Sequence, residues 1–365
     1  MSPVSHVPAP AASQPPRPRR AIDEAIRAIP IEWFRPSPAI YWMDLIGSAA
    51  VGWTGFVLAV RETGWHRAAL LLMAVFALYR AVLFIHEITH LARRDLPAFT
   101  LAWNALVGVP LLVPSFLYEG VHTDHHRQRS YGTNADPEYV PFGRRPALLI
   151  AGYVVASLFA PALFALRFAL LAPLSWAIPP LRQLVAERYS ALVINHRYIR
   201  RAAIDTSGRV QEVAACAVCW ASVGLWWLGR MPAAVFVCWA VVGAIVSGVN
   251  AARTLAAHRY DHDEGELSMT EQLLDSYTIA PAERLSHQLG ARVAGVGRAL
   301  VAPVGLRYHA LHHWIPSLPY HNLGRAHRLL VATLAPDAPY GATVERGFAP
   351  VLRDLLRRSR TPSRP

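Results

Sequence analysis

The sequence predicts an all-α integral membrane protein: two transmembrane helical hairpins (about four spans), interfacial or re-entrant helices, and a histidine-bearing cap on the cytoplasmic face. Three observations carry this. Of 365 residues, 53% are hydrophobic and only 16% charged, where a soluble globular chain carries about a quarter. Mean hydropathy is positive at +0.25, and the apolar residues fall in long blocks. The histidines, finally, cluster where those blocks end.

Residues 1–30 open with MSPVSHVPAPAASQPPRPRR. The stretch is rich in proline and arginine and lacks an apolar core, so it reads as a disordered cytoplasmic tail and not as a signal peptide. One membrane domain is expected over 31–345. Residues 346–365, ending in RRSRTPSRP, read as a C-terminal tail.

The blocks 40–60 and 68–85 are joined only by RETGWHR, and each approaches the roughly 20 residues a span needs. They form the first hairpin, whose return helix delivers His86 and His90 to the cytoplasmic side. The block 101–118 is interrupted by Gly108, Pro110 and Pro114, so it is expected to bend back or lie in the interface. The block 147–178, broken by Pro161 and Pro173, is expected to end where it began. A loop with Arg182, Arg188, Arg197, Arg200, Arg201 and Arg209 follows it. The blocks 213–228 and 232–249, joined by GRMP, make the second hairpin.

The net charge of +12 comes from 36 basic residues, all arginine. They crowd the segments flanking the blocks, as the positive-inside rule and anionic lipid headgroups require. No basic and aromatic recognition module is visible, which excludes nucleic acid as the expected partner. Cys216, Cys219 and Cys238 lie inside apolar blocks, where small packing residues are the expectation and no disulfide framework is implied.

Three histidine groups carry the chemistry: His86 and His90 at i and i+4, His122-x-x-His125-His126, and His309-x-x-His312-His313. On a helix these spacings put each group on one face, aimed at a common point. Sixteen histidines scattered at random would give roughly a few hundredths of an H-x-x-H-H per chain, and here there are two. His86-Glu87-Ile88-Thr89-His90 also reads as the H-E-x-x-H of zinc proteases. That reading leaves both triplets idle, because a catalytic zinc takes three protein ligands, and neither of the late blocks 213–228 and 232–249 contains an acidic residue. A metal transporter would hold its ligands near mid-membrane. Eight imidazoles suit two metals, and imidazole serves zinc, copper, iron and nickel alike. His258 follows the second hairpin as His86 follows the first and is a ninth candidate; His262, one turn on, is a weaker competitor. Glu87, Asp124, Asp136, Glu138, Asp275 and Asn322 are candidates to brace ligand imidazoles through their distal nitrogens.

With these boxes arranged around two apolar hairpins, the chain resembles the membrane fatty acid desaturase and hydroxylase superfamily. GLRYHALHHWIPSLPYHNLGRAHR and GVHTDHHRQRSYGTNADPEYV are especially similar to its bacterial members, and the resemblance covers roughly residues 40–330. It implies that the eight box histidines hold two iron ions, with His258 as the extra histidine after the last membrane helix. Thr254 stands where stearoyl-type members have an asparagine, and Asn250 lies a turn further back. The resemblance further implies O2 as co-substrate and hydrogen abstraction from an unactivated C–H bond of an acyl-lipid or acyl-thioester. Desaturation is the outcome it favours; hydroxylase, alkane monooxygenase and carotenoid-type oxygenase chemistry is the alternative. No H-P-G-G haem signature or cysteine quartet is present, so a separate ferredoxin- or rubredoxin-type donor is implied. The expected location is a bacterial inner membrane.

Overall fold

A computed structural model of the protein describes residues 26–92, 94–263, 265–280 and 289–360. Among these the chain is almost wholly helical; the named strands are β1 (Thr278–Ile279) and β2 (Val344–Glu345), paired in parallel. Five helices are long and apolar enough to cross a membrane: Ile31–Arg61, Gly64–His90, Ala160–Ala177, Thr206–Trp227 and Ala234–Leu255. Large apolar side chains such as Leu72, Val223, Val237 and Ile245 are exposed on their outer faces. Such a surface suits lipid and not water. The protein is an integral membrane protein.

The first hairpin is α1 (Pro38–Arg61) and α2 (Gly64–Val82). A Cβ on Gly52 would lie 2.6 Å from Leu78, and one on Gly55 3.1 Å from the Leu70 carbonyl. These two glycines let the backbones approach closely, the usual device where lipid removes the hydrophobic drive for helix association. Arg67 Nε donates to the Ala59 carbonyl at 3.1 Å and so closes the open end of α1. After a turn at Leu83 the chain continues as α3 (Phe84–His90), which carries the first histidine pair.

The segment after α3 dips and returns as expected. It begins with α4 (Phe99–Trp103), whose Phe99 packs on Tyr41 and Phe84 at the site end of the hairpin. It passes through a π turn at Asn104–Gly108, where Trp53 in mid-hairpin donates to the Leu106 carbonyl at 2.7 Å. Trp239 donates to the Pro110 carbonyl at 3.1 Å. The chain then comes back to α5 (Val121–His126), which carries the second box. Asn104 clasps the two limbs: its Nδ2 donates to Ser115 Oγ and its Oδ1 accepts from Ser115 N. Irregular backbone at membrane depth survives only when satisfied inside the protein in this way.

The next block gives α6 (Ala147–Leu158), α7 (Ala160–Leu166) and α8 (Ala172–Ala177), the last two joined by a π turn. Then come α9 (Pro179–Arg188) and the second hairpin, α10 (Thr206–Trp227) with α11 (Ala234–Leu255). About four spans were expected and five helices meet the length and apolarity. The additional one, Ala160–Ala177, belongs to a block that doubles back. Ile150 shares a buried cluster with Leu255 at the site end of α11, and notional Cβ atoms on Gly248 and Gly243 meet Leu158 and Pro161 near its middle. Trp176 then bonds Glu212 at the site end of α10. Both ends of the block therefore lie at the level of the histidines. Arg200 of the arginine-rich loop is buried, donating to the carbonyls of Phe116 and Ser190, so it anchors the loop instead of facing water.

The cap is completed by α12 (Met269–Asp275), α13 (Leu289–Val301), α14 (His309–Trp314) and α15 (Tyr320–Thr333). The C-terminal tail expectation needs correction: α16 (Phe348–Arg360) is a docked helix that includes the first residues of RRSRTPSRP. Its Phe348, Val351, Leu352 and Leu355 recur at helical spacing and pack on the cap. Arg358 donates to the Arg259 carbonyl at 2.8 Å and pairs with Asp261. The N-terminal tail to residue 25 and the last five residues lie outside the described residues.

Candidate metal centre

The first histidine box rides on α3, the continuation of a membrane helix, and the second and third on the short helices α5 and α14. The i, i+3, i+4 spacing on α5 and α14 turns imidazoles inward, with Gly120 in a left-handed conformation (φ 79°) setting the start of α5. His258 lies just past α11, bridged to Ser276, with Tyr277 N bonded to the Ala257 carbonyl at 2.8 Å.

The nine histidines converge in two groups: His86, His90, His122, His126 and His312, and His125, His258, His309 and His313. Within each, one ring nitrogen per residue lies within 4.8 Å of all the others. The expectation that each triplet aims at one point is corrected. Its i, i+4 members, His122 with His126 and His309 with His313, stay together, while the third member crosses to the other group. A residue at i+3 lies about 100° around the helix from its i+4 neighbour and about 60° from residue i, enough to serve a second centre. His262 is partly exposed, its Nε2 near the Gly265 carbonyl at 3.0 Å, and joins neither group. His66, His196, His321 and His327 also stand apart from the two groups; His6 and His287 lie outside the described residues.

Two of the proposed braces are in place. His125 Nδ1 donates to Asp136 at 2.8 Å, and His122 Nδ1 donates to Glu138 at 2.6 Å. Asp275 acts at one remove: His258 Nδ1 donates to the Tyr131 hydroxyl at 2.8 Å, which donates to Asp275 Oδ2 at 2.8 Å. Tyr139 also donates to Asp275, at 3.1 Å. The other three candidates face elsewhere. Glu87 accepts from Tyr41 and from Tyr320 N, and its 3.7 Å approach to His86 Nδ1 is too long for a hydrogen bond. Asp124 takes Tyr198 and Arg127; Asn322 donates to the Trp33 carbonyl. Tyr118, which stacks on His122 and donates to Glu138, and Tyr131 carry no spacing signal that would have found them.

Burial holds the imidazoles of His122, His126, His258, His309, His312 and His313 well below their usual range, and neighbouring histidines press the same way. At His125 burial opposes charge but the Asp136 carboxylate outweighs it and the net shift is upward. Burial pushes the Asp275 carboxyl up to about 6.

The donor set fits a pair of cations. Nε2 of His126 lies 3.0 Å from that of His122 and 3.1 Å from that of His312. In the other group Nε2 atoms run His125–His313–His309–His258 at 3.2, 3.1 and 2.9 Å. An imidazole nitrogen either donates or accepts, so hydrogen bonds alone cannot satisfy such runs. His86 and His90 Nε2 are buried with no partner at all. A metal at the focus of each group would take all these lone pairs at once. Five and four imidazole nitrogens leave room for a further ligand at six-coordinate centres, which a single protease zinc would not need. Glu87, held by Tyr41 and Tyr320, is not positioned as a protease base.

Glu138→Gln and Asp136→Asn should each weaken metal binding about 10- to 100-fold, since a neutral amide no longer fixes the tautomer nor raises imidazole basicity. Competition of the purified variants against a chelator of known affinity measures this. Retention of wild-type affinity in both would remove the bracing role.

A 660 Å³ cavity reaches this centre from the membrane region. Its lining includes Leu83, Ile85, His86, Tyr118 and Glu138 at the centre and Trp239, Val242 and Val246 of α11 along one wall. Leu149, Ala156 and Leu163 form an outer wall exposed on the protein surface.

Comparison with known proteins agrees with this architecture. The chain is 41% identical over 332 residues to a ceramide hydroxylase of Caulobacter vibrioides (strain NA1000 / CB15N), covering 89% of this chain and 90% of that protein. The fatty acid desaturase family model matches residues 63–344, which spans four of the five long apolar helices completely and all nine histidines. The chain therefore belongs to the fatty acid desaturase family, a class of membrane di-iron oxidoreductases.

Proposed function

We propose that this protein is an O2-dependent di-iron hydroxylase of a ceramide-class lipid. The observation that carries the reading is the 41% identity, over nine-tenths of both chains, to a protein named for that activity. Sequence resemblance alone favours desaturation of an acyl chain; the family name keeps that as the second reading, since both reactions begin with removal of hydrogen from the same kind of carbon.

The chemistry supplied by two bound irons is O2 activation for attack on an unactivated C–H bond. His86, His90, His122, His126 and His312 would hold one ion and His125, His258, His309 and His313 the other. Asp136, Glu138 and the Tyr131–Asp275 pair keep the imidazoles oriented through repeated turnover. The apolar cavity takes up hydrocarbon, excludes bulk water and presents a substrate carbon beside His86. Electrons come from a ferredoxin- or rubredoxin-type donor. Exposed Arg94, Arg127, Arg129, Arg197 and Arg201 near the second box offer an acidic protein a complementary surface. We place this face in the cytoplasm of a bacterium, with the helices in the inner membrane.

The test is expression in a host supplied with ceramide, beside a His126→Ala control, with mass spectrometry of total lipid. Ceramide that gains one oxygen only with the wild-type protein is the expected result. An acyl lipid that instead loses two hydrogens would move the assignment to desaturation.

A further inference from the structure

The cavity wall changes character along its length. The α11 residues facing it recur at helical spacing. Toward mid-membrane they are Trp239, Val242, Gly243 and Val246; nearer the histidines they are Ser247, Asn250, Arg253 and Thr254. His258 follows Thr254 by one helical turn, so the stretch from Asn250 to Thr254 lies about 6–12 Å along the axis from His258. Tyr79, Tyr153 and Ser157 line the cavity too. The hydroxyls of Tyr79 and Ser157 are engaged by backbone carbonyls of Val301 and Tyr153, both at 2.8 Å. Arg253 is different. Its Nη2 donates to Asn250 Oδ1 at 2.9 Å and its guanidinium also bonds the Tyr79 hydroxyl, yet its Nε is buried without a partner and among the described residues no carboxylate forms an ion pair with it.

A guanidinium carries five N–H donors and no acceptor. Hydrocarbon lying against Arg253 would leave those donors dry and unsatisfied, an expensive arrangement in an apolar cavity. A segment bearing carbonyl or hydroxyl oxygens would satisfy them. Resting on the lipid-hydroxylase reading above, we propose that Arg253, steadied by Asn250, is a positioning residue that binds the amide or hydroxyl oxygens of a ceramide substrate. It fixes the polar end of the lipid close to the histidines, while the apolar half of the wall takes the hydrocarbon. Oxidation is thereby directed to a carbon only a few bonds from the polar group, in contrast to an enzyme that measures deep into an acyl chain.

The experiment uses the iron-loaded protein in lipid nanodiscs with a reconstituted electron donor and a short-chain ceramide as probe. Arg253→Met should raise KM about 10- to 100-fold, the worth of a hydrogen bond to a charged group. It should change kcat less and spread the new hydroxyl over several carbons, with iron content unchanged. Arg253→Lys should recover part of the KM and the single product position. If Arg253→Met does not fold, Asn250→Leu, which frees the guanidinium, carries the same two readouts. Wild-type KM and an unchanged single position in the substituted protein would overturn this role while leaving ceramide hydroxylation intact. A wild-type protein inert to ceramide but active in mid-chain on another lipid would overturn both.

Discussion

Replacing His258 by alanine is expected to abolish turnover and to leave one firmly bound iron in place of the two proposed for the wild-type protein. His258 belongs to the smaller histidine group, with His125, His309 and His313. Loss of one nitrogen leaves three, in a buried site that is too dry for several waters to replace it. The damage extends beyond the ligand. His258 Nδ1 is bonded to the Tyr131 hydroxyl and lies 3.1 Å from Ser276 Oγ, so alanine opens a void inside the Tyr131–Asp275 network. The five-nitrogen group shares no residue with it and should keep its ion. His262→Ala is the matched control, because that side chain bonds the Gly265 carbonyl and belongs to neither histidine group. Iron per protein by elemental analysis, together with lipid product, decides the matter. Two irons in His258→Ala, or loss of one in His262→Ala, would transfer the ninth ligand to His262 and refute the grouping.

That grouping shows where sequence reasoning reaches and where it stops. Box spacing pointed to the eight histidines because i, i+3 and i+4 share a helix face, and the position of His258 after the second hairpin marked it as a counterpart of His86. Which imidazole serves which metal was not legible. It depends on how α5 and α14 are rotated about their axes relative to α3, a property of tertiary packing. The same limit applies to the acidic residues. Asp136 and Glu138 sit in an irregular loop whose path, pinned by the Asn195 Nδ2 bond to the Asp136 carbonyl at 2.9 Å, brings them under the rings. Glu87, adjacent to a ligand histidine in sequence, points the other way, because neighbours on a helix project about 100° apart. The re-entrant block 101–118 was readable from its glycine and prolines. The docked helix α16 was obscured by the arginines around it, although its apolar residues already recurred every three to four positions.

Glu212→Leu should destabilise the fold by about 3–5 kcal/mol, the cost of breaking a buried ion pair by removing one partner. Glu212 is 1% exposed and accepts from Arg167 Nη2 at 2.6 Å, from Arg182 Nη1 at 2.7 Å and from Trp176 Nε1 at 3.3 Å. Arg167 is buried as well, and it reaches onward to the Tyr189 carbonyl and to Ser190 Oγ, each at 2.8 Å. One carboxylate thus fastens the doubled-back block and the start of α9 to the site end of α10. Leucine would leave two guanidiniums facing each other in an apolar setting with no counter-charge. Chemical or thermal unfolding in detergent measures the loss. The double variant Arg167→Met with Glu212→Leu should regain part of it, because the stranded cation beside the new leucine is then removed too; that non-additivity separates an electrostatic cause from a packing one. A loss below about 1 kcal/mol in the single variant, the range of exposed pairs, would mean that solvent or lipid headgroups reach the cluster. The metal centre touches none of these side chains, so the fraction of Glu212→Leu protein that remains folded should keep its full complement of iron. Fold and chemistry would then fail separately, as expected if the histidine groups are held by the cap and by the ends of α2 and α11, and the doubled-back block serves chiefly to enclose the lipid cavity.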